Sequence, residues 1–321
     1  MSISYQPPTS QWVDLDGPVH YVDHGGPEGA PLLICVHGLG GSLVNWAALA
    51  PRLTRHARVL ALDLAGFGRT RAVGRSASVL ANQRLLNRFL TEVVDGPAIL
   101  LGNSMGGLIL SLQADAHPQT VAGAVLLDPA LPMAVGVRPD PFVTTMFALY
   151  AVPPLGRAAL SSRRWRTPEQ AALDMLRLCC VDAGRVPAAV IAQHVTVAHL
   201  RRTFDEVDEA MLEAARSLMW VLARRNRHAV MLSEMAGPVL LLHGDKDRLV
   251  PIGSARAAAR ANPRWRFEVA ADVGHVPQLE VPVWTAERIL HWLGTDAAHA
   301  AARTGHAVVR RPTGDVPGTT A

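Results

Sequence analysis

The decisive stretch is "LLGNSMGG", residues 100–107, where Ser104 stands between Gly102 and the pair Gly106 and Gly107 at the end of an uncharged apolar run. The residues after the serine, "MGGLILSLQADA", have helical spacing, so the serine occupies a sharp turn from strand to helix. A backbone bent that tightly is strained, and it projects the side chain at its apex out of the sheet. Glycine on either side fits the same geometry, because side chains there would collide where helix and strand cross. An incidental serine in a glycine-rich turn accounts for G-x-S-x-G alone, but not for the strand before it and the helix after it.

The pattern around this turn repeats on both sides. Short apolar runs at 32–38 (LLICVHG), 58–66 (RVLALDLAG), 98–104, 124–130 (AVLLDPA), 239–245 (VLLLHGD) and 266–275 (RFEVAADVGH) each sit beside a Gly- or Pro-containing turn. Runs this continuous are expected of parallel strands covered by helices on both faces. Helical spacing fills 78–94, 105–116, 253–262 and 282–293, with Gly294 placed to cap the last of these. The fold class expected is therefore α/β. The alternation stops between about Leu131 and Ala236, where helical patterns continue without a convincing strand. The expected organisation is a core over 1–130, a helical cap inserted at 131–236, the rest of the core over 237–294, and a loose tail over 295–321. An insertion so placed lies over the carboxyl ends of the strands, where α/β sheets bind ligands.

Composition narrows the function classes. The chain has 321 residues, 49% of them hydrophobic and 18% charged, which suits a globular protein rather than a disordered chain. A net charge of +4 is spread along the sequence and mixed with acidic residues, which argues for solubility and against nucleic acid as a partner. Cys35, Cys179 and Cys180 are too few and too poorly spaced for a disulfide framework or a zinc site, so a reducing cytoplasm is expected. The N-terminus lacks the basic and apolar regions of a signal peptide, and the uncharged stretch 96–114 is broken by Pro and Gly, so no stable membrane insertion is expected.

A serine hydroxyl is a weak nucleophile and needs a base, which itself needs an orienting acid. His275, in the loop "DVGH" after the last strand, is placed to be that base. For the acid, "LLLHGDKDRLVP" offers Asp245 and Asp247. Asp245 is expected to cap backbone amides at the strand end while Asp247 reaches the His275 loop. Asp128, at the end of "LLDP", is a rival acid. Attack on a carbonyl also creates an oxyanion, for which the glycine-rich turn "VHGLGGS", residues 36–42, offers the Leu39 amide beside the Met105 amide. "GLGGS" lacks the Gly-Lys-Ser/Thr ending of a phosphate loop.

Taken together, "HGLGGS", "DLAGFGRT", "GNSMGG", "GDKDRLVP" and "GHVPQLEVP" resemble the α/β-hydrolase fold superfamily, in the branch with a helical cap, from about Val19 to Leu293. The resemblance implies an α/β-hydrolase fold and an esterase-like or lipase-like serine hydrolase with Ser104, Asp247 and His275 in the order nucleophile, acid, base. It also implies structural roles for residues 63–70 and for His37, and chemistry without cofactor or metal. Dehalogenase and epoxide hydrolase branches use an aspartate nucleophile and do not match Ser104. Hydrolases that cleave carbon–carbon bonds of ring-fission products share the "GNSMGG" elbow but usually carry a Trp soon after the histidine, where this chain has "GHVPQLE". A small-molecule receptor on the same scaffold is a third reading. In the cap, residues 141–156 carry no charge, and Met133, Phe142, Met146, Phe147, Leu149 and Tyr150 are candidates to line a lipophilic pocket, with Trp46 beside the oxyanion turn. "SSRRWRTPEQ", with Arg163, Arg164, Trp165 and Arg166, reads as a solvated charged face.

Overall fold

The apolar runs form strands because each can bury both faces at once. In the computed structural model, which describes residues 8–295 and 307–310, the strands are β1 (Ser10–Asp14), β2 (Pro18–Asp23), β3 (Leu32–Val36), β4 (Arg58–Leu62), β5 (Val94–Asp95), β6 (Ala98–Asn103), β7 (Val121–Leu127), β8 (Val239–Gly244), β9 (Arg266–Ala270) and β10 (Val308–Val309). Eight of them make one sheet in the order β1-β2-β4-β3-β6-β7-β8-β9. From β4 to β9 every pairing is parallel. Successive side chains alternate between two buried layers: Ile34, Leu60, Leu100, Leu126 and Leu241 face one, and Cys35, Ala61, Leu101, Val125 and Leu240 face the other.

The helices are α1 (Ala50–Leu53), α2 (Val79–Glu92), α3 (Met105–Ala116), α4 (Pro141–Ala151), α5 (Pro153–Ser161), α6 (Pro168–Cys179), α7 (Ala188–Arg201), α8 (Val207–Ala223), α9 (Arg225–Ser233), α10 (Ile252–Ala261), α11 (Pro277–Glu280) and α12 (Pro282–Thr295). Gly294 does not end α12. It lies inside the helix, which runs on to Thr295. From α4 to α9 no strand intervenes among the described residues. This segment is anchored at its rear: Glu213 of α8 accepts from Ala77 N at 2.9 Å and Ser217 Oγ from Val79 N at 3.0 Å, so α8 holds the start of α2. Of the expected tail, 296–306 and 311–321 lie outside the described residues, while Val308 and Val309 pair antiparallel with β5.

The antiparallel hairpin β1–β2 has no clear signature in the sequence. Its turn spans 15–17, with Asp16 and Gly17 at φ of 57° and 113°. Its first strand is half-exposed and too short for a clear period of two.

The sheet order fixes where a ligand can sit. From β3 the chain goes to β4 on one side and then crosses to β6 on the other, so the loops after β3 and β6 diverge at the strands' carboxyl ends. Such a switch point opens a crevice.

Candidate active site

Ser104 lies at that switch point. It joins β6 directly to α3, with φ of 53° and ψ of −120°, a left-handed conformation that costs a non-glycine residue about 1–3 kcal/mol. The surrounding packing enforces it. A Cβ on Gly106 would lie 2.2 Å from the Val36 carbonyl oxygen, and one on Gly102 would lie 2.7 Å from the backbone of Gly106. Hydrogen bonds fasten the turn to the end of β7: Ser104 N donates to the Leu127 carbonyl at 3.1 Å, and Ala130 N donates to the Ser104 carbonyl at 2.9 Å.

The turn after β3 is next to it because β3 and β6 pair directly, Val36 opposite Gly102. A Cβ on Gly38 would come within 2.9 Å of the Ser104 Cβ. His37 shapes this turn. Its Nε2 accepts from Leu64 N at 3.0 Å, which leaves Nδ1 to donate to the Gly38 carbonyl at 2.8 Å. Burial pushes its pKa down, so the ring is neutral. Asp63 supports the far side by accepting from Leu43 N at 2.7 Å, Arg69 N at 2.9 Å and His20 Nδ1 at 2.7 Å. Burial opposes its ionisation, but the His20 hydrogen bond and charge and the Arg69 amide outweigh it and hold its pKa below the ordinary value. Among the described residues, neither the Leu39 amide nor the Met105 amide donates to a protein acceptor. Met105 opens α3, where the first amides have no partner within the helix.

The loops after β8 and β9 bring Asp247 to His275. His275 Nδ1 and Asp247 Oδ2 are 2.7 Å apart, with both residues buried. Asp247 Oδ1 accepts from Leu249 N at 2.8 Å and Val250 N at 3.0 Å, which fixes the carboxylate plane. Burial opposes the ionisation of Asp247. The charge and hydrogen bond of His275 overcome this and hold its pKa below the ordinary value. Asp245 turns away, its Oδ1 accepting from Asp272 N at 2.7 Å. Asp128 is fully buried beside Asp247, and its Oδ1 accepts from Gly244 N at 2.9 Å. The His275 loop is tied to the serine turn by Asn103, whose Nδ2 donates to the His275 carbonyl at 2.9 Å and to the Leu127 carbonyl at 3.0 Å. Ser104 Oγ and His275 Nε2 make no hydrogen bond to each other here.

A sequence profile described as the alpha/beta hydrolase fold matches residues 31–282, which spans the serine turn, the Asp247 turn and the His275 loop. The chain belongs to the alpha/beta hydrolase fold family. It is 29% identical over 273 residues to the dihydrolipoyllysine-residue acetyltransferase component of the acetoin cleaving system from Cupriavidus necator; the match covers 84% of this chain and only 65% of that protein's length. It is also 29% identical to a pimeloyl-[acyl-carrier protein] methyl ester esterase of Aromatoleum aromaticum, with 78% and 94% covered. Among solved structures, a putative aryl esterase from Burkholderia cenocepacia is similar at a TM-score of 0.66 and 25% identity, covering 90% of this chain and 99% of that one.

In this alpha/beta hydrolase the candidate pocket residues divide. Tyr150 and Met146 join Phe147, Met211, Leu212 and Leu39 in one apolar cluster, so α4 and α8 pack onto the turn that carries the Leu39 amide. Trp46 is fully buried among Leu49, Leu53 and Leu101 in a core layer of the sheet. Phe142 is 57% exposed and Trp165 91% exposed, both directed to solvent. Arg166 pairs with Asp174, as a solvated charged face requires.

Two positioning residues escape the sequence reading. Asn103 is legible there only as the variable position of the G-x-S-x-G turn. Glu280, on α11, is buried and accepts from Val181 N and Asp182 N at 3.0 Å and from Gly274 N at 2.9 Å. With the 2.6 Å bond from His275 N to the Cys179 carbonyl, it fastens the residues after α6 to the His275 loop. A carboxylate three residues beyond a proline gives no local signal of that task.

Proposed function

We propose that this protein is a serine hydrolase cleaving carboxylic esters or related acyl compounds of small to medium, lipophilic character through an acyl-enzyme. The observation that carries the reading is the buried 2.7 Å pair of His275 and Asp247, tied by Asn103 to the strained turn of Ser104. With Nδ1–H donated to Asp247, the imidazole presents Nε2 as its basic nitrogen. Nε2 takes the proton of Ser104 Oγ as the oxygen attacks the substrate carbonyl, and Asp247 stabilises the imidazolium. The negative charge that develops on the carbonyl oxygen falls to the free amides of Leu39 and Met105, where one such donor is worth about 3–4 kcal/mol of transition-state stabilisation. The imidazolium returns its proton to the leaving alkoxide. Water, activated by His275, then releases the acid. Every group needed belongs to the chain, so the reaction as proposed uses no cofactor and no metal.

The substrate class is supported by α4, uncharged throughout, whose Met146, Phe147 and Tyr150 cluster with Leu39. We take 131–236 as a cap over the site, and 1–130 and 237–294 as the catalytic core. The names of the esterase relatives support ester rather than carbon–carbon hydrolysis. Free cysteines suit a reducing, cytoplasmic setting, and no helix among the described residues is long and apolar enough to cross a membrane. The partner expected is a small acyl substrate, not nucleic acid.

The test is mass spectrometry after fluorophosphonate treatment, alongside hydrolysis of p-nitrophenyl esters of increasing chain length. One adduct on Ser104, ester turnover, and loss of both in Ser104→Ala are expected. An adduct without ester turnover redirects the reading to carbon–carbon hydrolysis or to a receptor. Turnover that survives in Ser104→Ala refutes the mechanism.

A further inference from the structure

Asp128 and Asp247 are two carboxyl groups where the structure provides for one charge. Potential ligand atoms of Asp128, Asp247 and His275 all lie within 4.8 Å of one another, and all three residues are buried. The donors are unequally shared. Asp247 receives the amides of Leu249 and Val250 and the ring of His275, whereas Asp128 receives the Gly244 amide alone. Asp128 Oδ2 is buried with no donor facing it among the described residues.

The groups around Asp128 offer no compensating cation. His243 of β8 has its Nε2 3.6 Å from Asp128 Oδ1 and 3.5 Å from Asp247 Oδ2, but that nitrogen donates to the Val250 carbonyl at 2.8 Å. Burial lowers the pKa of His243, so it stays neutral. Glu280 of α11 adds further negative potential, and no Arg or Lys pairs with Asp128 among the described residues. His275 is the one ring that becomes cationic in the proposed cycle, and it is already held by Asp247. Two adjacent buried carboxylates cannot both ionise cheaply, and a single proton between them removes the conflict.

We propose that Asp128 is a neutral carboxylic acid, accepting from Gly244 N with Oδ1 and donating from Oδ2 to Asp247, and so acts as a positioning residue for the acid of the triad. The proton resides on Asp128 because Asp247 has the richer set of donors. Burial and the charge of Asp247 act in the same direction, raising the Asp128 pKa well above the ordinary carboxylate value. Asp247 is then gripped from every side: two amides, the imidazole and a carboxylic O–H. The kinetic part of this inference rests on the serine hydrolase reading; the protonation state does not.

The experiment compares wild type with Asp128→Asn and Asp128→Ala in the Ser104→Ala background by infrared difference spectroscopy at neutral pH. A protonated carboxyl C=O band present in the parent and missing from Asp128→Asn is expected, and its absence from the parent overturns the proposal whether or not the protein hydrolyses esters. Thermal unfolding from pH 5 to 8 gives a second reading. A proton bound by Asp128 in the fold and released on unfolding makes the parent lose stability with rising pH relative to Asp128→Asn, which keeps a donor and an acceptor, so the Tm difference, parent minus variant, declines from pH 5 to 8. The buried neutral histidines, such as His37 and His243, add the opposite slope to both proteins alike and cancel in that difference. With Ser104 restored, Asp128→Ala is expected to lose tenfold or more in kcat/KM and Asp128→Asn to recover most of it, with the acid limb of the pH profile unmoved. A limb displaced to lower pH in Asp128→Asn means that a negative charge at 128 had been supporting the His275 imidazolium, and refutes neutrality.

Discussion

Replacing Glu280 by Ala isolates what holds the proposed base in place without touching the reacting groups. Three amides lose their acceptor, those of Val181, Asp182 and Gly274, and Arg185, whose guanidinium also lies 3.4 Å from Glu280 Oε1, keeps Asp272 as its partner. Gly274 is buried, so its amide is left without water, a loss of about 1–3 kcal/mol. Val181 is 45% exposed and Asp182 is exposed too, so water replaces the carboxylate there at about 0.5–1 kcal/mol each. The sum, about 2–5 kcal/mol, lowers Tm by on the order of 10 °C at roughly 2–4 °C per kcal/mol. Activity should fall as well, since His275 follows Gly274 directly, and a displacement of about 1 Å at a reacting group can reduce the rate about a hundredfold. Glu280→Gln should lie between: its single carbonyl oxygen serves either the 181–182 pair or Gly274, and its amide group opposes the other. The assay is calorimetry with kcat/KM for a p-nitrophenyl ester at one temperature below both transitions. An Ala variant that keeps both Tm and kcat/KM would show that the Cys179, Asn103 and Arg185 contacts position the loop without Glu280, and would refute the role assigned to that carboxylate.

Ser104→Gly should abolish turnover yet raise stability by about 1 kcal/mol, because glycine adopts φ of 53° without strain; a lower Tm in that variant contradicts the strain assigned to the turn. Trp46→Ala should cost about 3–5 kcal/mol by emptying a core site, with ester chain-length preference unchanged, whereas Met146→Ala should change that preference at little cost in stability; the reverse pattern would return Trp46 to the pocket. Asp63 and Asp247 both have folded-state pKa values below the ordinary one. Their stabilisation is therefore complete above the unfolded value near about 3.9 and is lost as pH falls below it through the folded values. Unfolding in acid should steepen below that pH, and Asp63→Asn should remove part of the steepening.

Much of this architecture is legible in the sequence because the same residues answer to strong local constraints. Apolar runs such as Leu32–Val36 and Val239–Gly244 can only be buried strands, and Gly102 and Gly106 have no alternative where α3 crosses β3 and β6. Turn position alone favours Asp247 over Asp245, and the two carboxylates face different partners. The parts that stay hidden depend on contacts far apart in the chain. Glu280 reaches 98 and 99 residues back to Asp182 and Val181, and Asn103 reaches 172 residues forward to His275. No window along the sequence encloses such a pair. Trp46 and Phe142 are ambiguous in the sequence for a related reason: which face of a short helix is covered depends on elements the local pattern does not contain.

The bond from His275 to the Cys179 carbonyl has a practical consequence for anyone exchanging segments between relatives of this protein. The helices between β7 and β8 look like a module to be grafted whole, but their stretch from Cys179 to Arg185 is part of the seat of the imidazole: Arg185 also grips the Asp272 carbonyl at 2.6 Å. A chimera that imports a foreign version of that stretch is expected to disturb the proposed base, His275, through the Cys179 and Asp272 contacts. Libraries confined to α4 and α5, with 179–185 left native, vary side chains that cluster with Leu39 and leave the contacts of the His275 loop intact.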